Sequence, residues 1–337
     1  MTTTNHFAIA FALATASGTA LSAQEASRFT FEIETEIGVD SVISSDDPTA
    51  EISDTFLTSE ATLGFQITDT VSAFAGLTLE SVLDATNDRA FEDVGLYIDS
   101  IGLSFDLGNS VVSVGKFAPA FGVAWDAAPG FYGTNFVEDY ELSEALGASA
   151  SFQLGAGVLT ASLFYLDDSF LSRSLGTDRG RNTSSAGGVG NTGKLDNLAL
   201  QYELEEGATT YSISASHLSA SVGDVQDQNG LAFGIVHAAR DDLELIAEIA
   251  AFDGFGGADD RATYSTIGAA YTLNNWTLGA SYTNRDVRSS GSDHLASLGA
   301  DYTFANDITV SSGLGYAEES GVDSTLLGVS VIIPIGG

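Results

Sequence analysis

Cysteine is absent from the 337-residue chain, so the protein has no disulfide framework, no thiol chemistry and no cysteine-based metal site. Basic residues are scarce: 11 Lys and Arg stand against 46 Asp and Glu, which gives a formal net charge of −35. Nucleic-acid binding needs a basic surface that displaces counterions, so no nucleic-acid partner is expected. The acidic excess is compatible with attraction of cations, or with solubility alone.

Proline and long apolar runs are also lacking. The chain has 4 prolines, and no internal apolar run approaches the roughly 18 residues that a membrane helix needs. Glycine, in contrast, is frequent, with 37 residues. This composition favours long β-strands over a helical bundle or proline-rich disorder.

The N-terminus has the pattern of an export signal. A small-residue apolar run extends from Phe7 to Leu21, and segment 20–23 has a small-x-small cleavage pattern. The preceding MTTTNH lacks the usual Lys or Arg. We expect cleavage after Ala23, so that residues 1–23 are a signal peptide and residues 24–337 form one mature domain. A structural N-terminal helix is the alternative.

The rest of the chain alternates apolar and polar residues with period two. Such alternation places successive side chains on opposite faces of a strand. In the first run, 29–40, one parity is apolar and the other carries Glu32, Glu34, Glu36 and Asp40. A soluble sandwich rarely needs so acidic a face, whereas a water-filled lumen tolerates it.

Sixteen such runs follow one another, joined by seven tight turns and eight longer loops. The two kinds of connection are predicted to alternate from the first strand to the last, so an up-and-down sheet has every long loop at one end. The longer loops are predicted near 43–56, 83–93, 118–144, 167–194, 220–229, 253–261, 286–292 and 318–322. An even number of strands with this asymmetry is typical of outer-membrane barrels.

Membrane physics favours the same architecture. Hydrocarbon offers no hydrogen-bond partners, so a sheet that spans it must close on itself. Sixteen strands leave a lumen wide enough for water, whereas eight enclose only side chains. The sequence therefore predicts an all-β protein, a 16-stranded antiparallel transmembrane β-barrel. A soluble sandwich or a repeat solenoid is the alternative.

One segment interrupts the alternation in the middle of the barrel. The stretch from Lys116 to Glu144 is rich in Gly, Pro, aromatics and carboxylates. Such a segment within a regular pattern is more often functional than a slack connection. Its position makes it the third long loop, and we expect it to fold into the lumen.

With these features residues 24–337 resemble the general diffusion porins of Gram-negative bacteria, particularly the α-proteobacterial type. The alternating Val329, Val331, Ile333 and Ile335 are similar to the last strand of that family, although the chain ends Gly336-Gly337 instead of on an aromatic residue. The resemblance implies a third loop that narrows the channel. It also implies a homotrimer in the bacterial outer membrane, in contact with its lipid and lipopolysaccharide.

The candidate channel residues are mainly carboxylates. Those on the third loop are Asp126, Glu138, Asp139, Glu141 and Glu144, and those on the wall are Glu32, Glu34, Glu36, Glu60 and Glu80. In the porin family the loop acids face a basic wall cluster, and Lys116 and Arg285 are the best opponents here. Lys116 nevertheless shares the parity of the apolar Val112 and Val114. For each named acid, a solvated position at the rim is the alternative.

Other charged clusters allow weaker hypotheses. The basic residues of the fourth loop, which are Arg173, Arg179, Arg181 and Lys194, could bind lipopolysaccharide or simply be exposed. The pairs Asp46-Asp47 and Asp259-Asp260 could hold Ca²⁺ loosely, but they lack the spacing of a dedicated calcium loop. We expect no cofactor and no dedicated metal site.

Catalysis is a further alternative, because some outer-membrane barrels hydrolyse substrates with Ser and His. The mature chain has three histidines, His217, His237 and His294, and Ser219 lies two residues after the first. No third partner is evident, so we expect no enzyme. The sequence predicts passive diffusion of ions and small hydrophilic solutes with a preference for cations. A substrate-selective channel for sugars or anions and a plugged structural or adhesive barrel are the alternatives.

Overall fold

The computed structural model describes residues 28–336, so the predicted signal peptide lies outside the described residues. Sixteen antiparallel strands form one sheet, and β1 pairs with β16 to close it. The strands are β1 Phe29–Ser45, β2 Ser53–Thr68, β3 Val71–Ser81, β4 Val94–Asp106, β5 Ser110–Phe117, β6 Ala145–Leu154, β7 Gly157–Leu166, β8 Asn197–Glu206, β9 Thr209–Leu218, β10 Gln228–Arg240, β11 Leu243–Asp253, β12 Arg261–Leu273, β13 Trp276–Val287, β14 Gly291–Thr303, β15 Thr309–Glu319 and β16 Val322–Gly336. The predicted 16-stranded antiparallel barrel is confirmed.

The two faces of the barrel wall differ as the period-two pattern predicts. Outward side chains such as Leu278 and Leu298 are apolar and exposed, whereas Ser297 on the inner face is buried. Near the tight-turn end, the outward rings of Trp276 and Tyr302 lie 4.9 Å apart. Aromatic residues at the edge of an apolar band are typical of barrels that span a membrane. Between residues 28 and 336, no helix is long and apolar enough to span a membrane.

The predicted alternation of loop lengths is wrong for two hairpins, β13–β14 and β15–β16. Their connections are 288–290 and 320–321, which are as short as the turns at the opposite end. At the last one, Glu319 pairs directly with Val322, and Ser320 and Gly321 both have positive φ, +52° and +78°. Two residues of positive φ form the tight turn that suits the twist of a hairpin. The first loop is also shorter than predicted, because β1 and β2 extend to leave only 46–52.

Two short strand pairings inside the loops were not predicted. Arg89–Ala90 of the second loop pairs in parallel with Asp54 and Thr55 of β2. Leu175–Gly176 of the fourth loop pairs with the first residues of β4. Both segments bond to strand edges that the neighbouring barrel strand does not reach.

Candidate functional site

The third loop, residues 118–144, lies inside the barrel. It leaves β5 after Phe117 and returns at Ala145, two residues that stand directly opposite each other in the sheet. In between, the loop follows the inner wall of β9–β16. The amide of Gly122 donates to Ser214 Oγ of β9 at 3.1 Å, and at the far end Tyr132 Oη donates to Asp40 Oδ1 of β1 at 2.6 Å. The predicted inward fold of this loop is therefore confirmed.

The carboxylate of Glu248 on β11 binds the third loop near its beginning and near its end. Glu248 is 5% exposed and accepts hydrogen bonds from the amides of Val123 at 2.6 Å and Ala124 at 3.2 Å. These amides begin the one α-helical turn of the described chain, Ala124–Ala127, and the carboxylate satisfies donors that lack a partner within the helix. Tyr140 also donates to Glu248. Burial and this carboxylate raise the pKa of Tyr140 well above its ordinary value, so the phenol remains a donor.

A row of glycines forms the seat for the tip of the loop. The row is Gly279, Gly299, Gly313 and Gly328, which stand directly opposite one another on β13–β16. A Cβ added at Gly313 would lie 2.1 Å from the Cβ of Phe131, and one at Gly328 would lie 2.1 Å from the ring of Phe131. The loop can approach the wall this closely only because these positions have no side chain.

Two of the predicted loop acids, Asp139 and Glu144, bind basic side chains. Asp139 accepts a hydrogen bond from Tyr264 at 2.9 Å and forms an ion pair with Arg285 at 2.7 Å. Arg285 also binds the carboxylates of Asp293 and Glu319, at 2.8 and 2.6 Å. Three carboxylates therefore surround this guanidinium. From the sequence, Arg285 was expected to face the loop acids across the channel.

Glu144 lies where the loop rejoins the barrel. It binds Lys116 Nζ at 2.6 Å and accepts two hydrogen bonds from Arg179. Lys116 itself is fully buried, and its ammonium also binds Asp167 at 2.9 Å. Lys116 stands opposite the outward Ile101, in agreement with its apolar parity, and its charge is enclosed between the third and fourth loops.

The remaining predicted loop acids are Asp126, Glu138 and Glu141. Asp126 is exposed at the helical turn, and Glu141 is half-buried. Glu138 accepts a hydrogen bond from Thr134 of the same loop at 2.7 Å. These three carboxylates lie along the loop, whereas Asp139 and Glu144 fasten it to basic side chains.

The wall of β1–β4 carries a row of carboxylates on its inner face. Glu34 stands directly opposite Glu60, and Glu60 stands opposite Thr78, which donates to Asp99 of β4 at 3.0 Å. Glu60 is within electrostatic range of Glu141 on the third loop. Within residues 28–336, Glu34, Glu60 and Asp99 form no ion pair with Lys or Arg. The third loop and this acidic wall therefore face each other across the bore.

The other predicted wall acids extend this row. Glu80 is 6% exposed and accepts a hydrogen bond from Tyr97 at 2.7 Å, and Glu36 is 7% exposed. Glu32 is exposed, nearer the tight-turn end of β1. We call the set Glu34, Glu36, Glu60, Glu80 and Asp99 the acidic wall.

Sequence analysis did not identify Asp99, Glu248 or the glycine row. Asp99 reaches the inner face through an irregularity in the pairing of β3 with β4, where both Asp99 and Ser100 lie against Gly76. A strict period of two assigns only one of these neighbours to the lumen. Glu248 has inward parity, a signal that was present, but nothing in the local sequence shows what it binds.

The other predicted clusters bind nearby groups. Asp47 accepts from the amide of Thr49 at 2.9 Å, and Asp259 binds Arg288 at 3.1 Å. In the part of the chain that the structure describes, no group of three or more His, Asp or Glu is arranged to hold a metal ion. His217 contacts Asn229 at 2.9 Å, and Ser219 Oγ donates to a backbone carbonyl, so the two do not form a catalytic pair.

The fold is shared with several solved outer-membrane proteins. The outer-membrane channel DcaP of Acinetobacter baumannii superposes with a TM-score of 0.63 at 12% identity, covering 91% of this chain and 97% of that one. A variant of Rh. blastica porin gives 0.60 at 17% identity, covering 91% and 100%. Salmonella typhi OmpF in complex with daunomycin gives 0.66 at 12% identity, covering 91% and 97%.

Comparison of sequences gives no further relative. No protein-family model matches the chain, and no curated protein matches its sequence. The likeness to solved structures therefore rests on the barrel fold. On this evidence, the chain has the sixteen-stranded barrel fold of outer-membrane porins.

Proposed function

We propose that this protein is an outer-membrane channel through which ions and small hydrophilic solutes diffuse passively, with a preference for cations. The barrel fold, the apolar outer face and the inward loop support the outer-membrane location and the channel. The single observation that carries the cation preference is the acidic wall, in which Glu34, Glu60 and Asp99 form no ion pair with Lys or Arg within residues 28–336.

The distribution of basic residues supports the same conclusion. The cations that reach the inner wall or the inward loop are Arg89, Lys116, Arg179 and Arg285, and each is bound by at least one carboxylate. The charges of these pairs largely cancel at a distance. Glu34, Glu60 and Asp99 form no such pair in the part of the chain that the structure describes, so they leave an acidic excess in the bore. Wall charges of one sign in a narrow pore bias which ions enter.

A selective channel for anions would need a cluster of inward cations that are free to bind substrate. Arg285, the best candidate for that role, is 13% exposed and surrounded by three carboxylates. A passive channel needs no catalytic group and no energy source. We infer a homotrimer from the resemblance to porins, with lipid and lipopolysaccharide around it.

The proposal is tested with the refolded mature protein, residues 24–337, in a planar bilayer under a salt gradient. We expect large open steps, grouped in threes for a trimer, and a reversal potential of the sign that cations produce. Absence of conductance from a correctly folded barrel would contradict the proposed channel function. A reversal potential of anionic sign would contradict the cation preference while leaving the channel intact.

A further inference from the structure

The barrel wall is incomplete where the third loop leaves it. β4 has 13 residues and β5 has 8, and their pairing stops at Ile101 and Lys116. The first seven residues of β4, 94–100, therefore lack a barrel strand on that side. An unpaired edge of this kind exposes backbone groups that need partners.

The fourth loop, residues 167–196, pairs with the first part of this gap, residues 94–96. Its Leu175 and Gly176 pair with Leu96 and Gly95, and the amide of Thr177 donates to the carbonyl of Val94 at 3.0 Å. Near the other end of the loop, the amide of Leu166 donates to Gly190 and that of Gly190 to Ser219. The loop is thus bonded to β4 on one side and to β7 and β9 on the other.

Four charged side chains join this loop to the root of the third loop. They are Lys116 of β5, Glu144 of the third loop, and Asp167 and Arg179 of the fourth loop, and we call them the loop lock. Lys116 binds Glu144 and Asp167, and it also donates to the carbonyl of Leu171 at 3.1 Å. Two positive and two negative charges balance, in contrast to the acidic wall.

Arg179 has the geometry of a positioning residue. Its two terminal nitrogens donate to the two oxygens of Glu144 at 2.7 and 2.6 Å, and its Nε donates to the carbonyl of Ser172 at 2.8 Å. The guanidinium lies 3.6 Å from the centre of the Tyr97 ring. Tyr97 in turn donates to Glu80 of the acidic wall. Only a planar, forked cation can form the paired hydrogen bonds and the ring contact together.

We propose that the fourth loop is a section of the channel wall and that Arg179, through the loop lock, fixes the C-terminal root of the constricting third loop. The proposal rests on the proposed function for its consequence in conduction, since a shifting loop root makes the bore fluctuate. Its structural part, the anchoring of one loop by the other, does not depend on conduction.

The test compares Arg179→Gln with Arg173→Gln. Both changes remove one arginine from the same loop, but Arg173 binds only the exposed Asp178 on the outside of the loop. The folded variants in detergent are treated with subtilisin, which does not require arginine at the cleavage site. We expect Arg179→Gln to be cut in the third or fourth loop about tenfold faster than the wild type, because local opening exposes these segments. Arg173→Gln should be cut at the wild-type rate.

Single-channel recording gives the second measurement. Arg179→Gln should add open-channel noise and brief closures that Arg173→Gln lacks, and Arg179→Lys should remain noisy because lysine cannot form the fork. Equal cleavage of both glutamine variants, or Arg179→Lys behaving as wild type, would overturn the role of Arg179. If the wild type conducts nothing, the proposed function fails, but the cleavage comparison still decides whether the loop lock exists.

Discussion

The two inner walls of this barrel differ in how their charges are used. On the side of β9–β16, the wall has glycines where the third loop rests and polar groups where it is fastened, and Glu248 and Arg285 are fully engaged. On the side of β1–β4, the carboxylates of Glu34, Glu60 and Asp99 form no ion pair with Lys or Arg within residues 28–336. One wall therefore positions the third loop, and under the proposed function the other sets the charge of the bore.

The largest expected effect follows from removing Glu248, which binds the third loop to the wall of β9–β16. Glu248→Ala leaves two buried amides and the Tyr140 hydroxyl without their acceptor, and hydrogen bonds to a charged group contribute about 1.5–3 kcal/mol each. We expect the free energy of unfolding to fall by about 3 kcal/mol or more and the size limit for sugars to change. Urea unfolding and liposome swelling measure these two effects.

Glu244→Ala is the matched control for that prediction. Glu244 lies on the same strand and has the same parity as Glu248, but it is exposed. Its removal should leave both the free energy of unfolding and the size limit unchanged. Equal effects of the two substitutions would show that Glu248 has no special role in holding the loop.

A smaller effect tests the glycine seat. Gly328→Ala places a methyl against the ring of Phe131, and overpacking of this kind costs about 1–3 kcal/mol. Adding Phe131→Ala should relieve this clash, because the ring is what the new methyl meets. It should not relieve Gly313→Ala, whose methyl meets the Cβ that alanine keeps at 131.

A double-mutant cycle on unfolding free energies measures this difference. We expect strong coupling between positions 131 and 328 and little between 131 and 313. Equal coupling at both positions would mean that the loop tip does not rest on the row as described.

The third prediction tests whether the acidic wall determines ion selectivity. Glu34→Gln combined with Glu60→Gln removes two unpaired carboxylates from the bore, so the permeability ratio of cations to anions should fall severalfold with little change in stability. The control is Glu205→Gln with Glu206→Gln, which removes the same charge from exposed positions near a turn. Reversal potentials of the two double variants should differ, and identical values would remove the acidic wall from the mechanism.

The smallest effect concerns pH. Burial acts to raise the pKa of Asp167, but hydrogen bonds from Ser169 and Lys116 outweigh it and hold the pKa below the ordinary value of 3.8. A carboxylate whose pKa is lowered in the folded protein stabilises the fold at pH values above its ordinary pKa. This stabilisation is lost as the pH falls through the lowered pKa. Protection of the fourth loop from an acid-active protease should therefore be constant down to about pH 4 and decrease below it.

Asp167→Asn provides the comparison for this step. Because asparagine does not titrate, the variant should lack this contribution at every pH and show a smaller decrease below pH 4. A wild type and variant with the same acid profile would mean that another group controls the loop.

The strand number, the closure of the barrel and the inward course of the third loop could be predicted from the sequence. The alternation of apolar and polar residues indicates which face of a strand each residue occupies. Sixteen successive segments with this alternation are enough to predict the architecture. The same pattern assigned Glu34 and Glu60 to the inner face, where the structure places them next to each other. The lengths of two connections, 288–290 and 320–321, were not predicted, because the β13–β14 and β15–β16 hairpins keep their strand pairing up to the turn.

Partners across the barrel could not be predicted. Asp139 and Arg285 are separated by 146 residues and Gly122 and Ser214 by 92, so no local pattern connects them. The glycine row is visible only once the register of four strands is known. Lys116 was difficult for a different reason: its parity is outward, and its charge is balanced by Glu144 of the third loop and Asp167 of the fourth.

The proposed cation preference depends on the sign of the electric field in the bore. The decisive measurement is the zero-current potential of the wild-type channel under a tenfold gradient of potassium chloride in a planar bilayer. An excess of unpaired carboxylates predicts a potential of cationic sign that decreases as the salt concentration rises, because salt screens the wall charges. A potential near zero or of anionic sign at low salt would contradict the acidic wall as the determinant of selectivity.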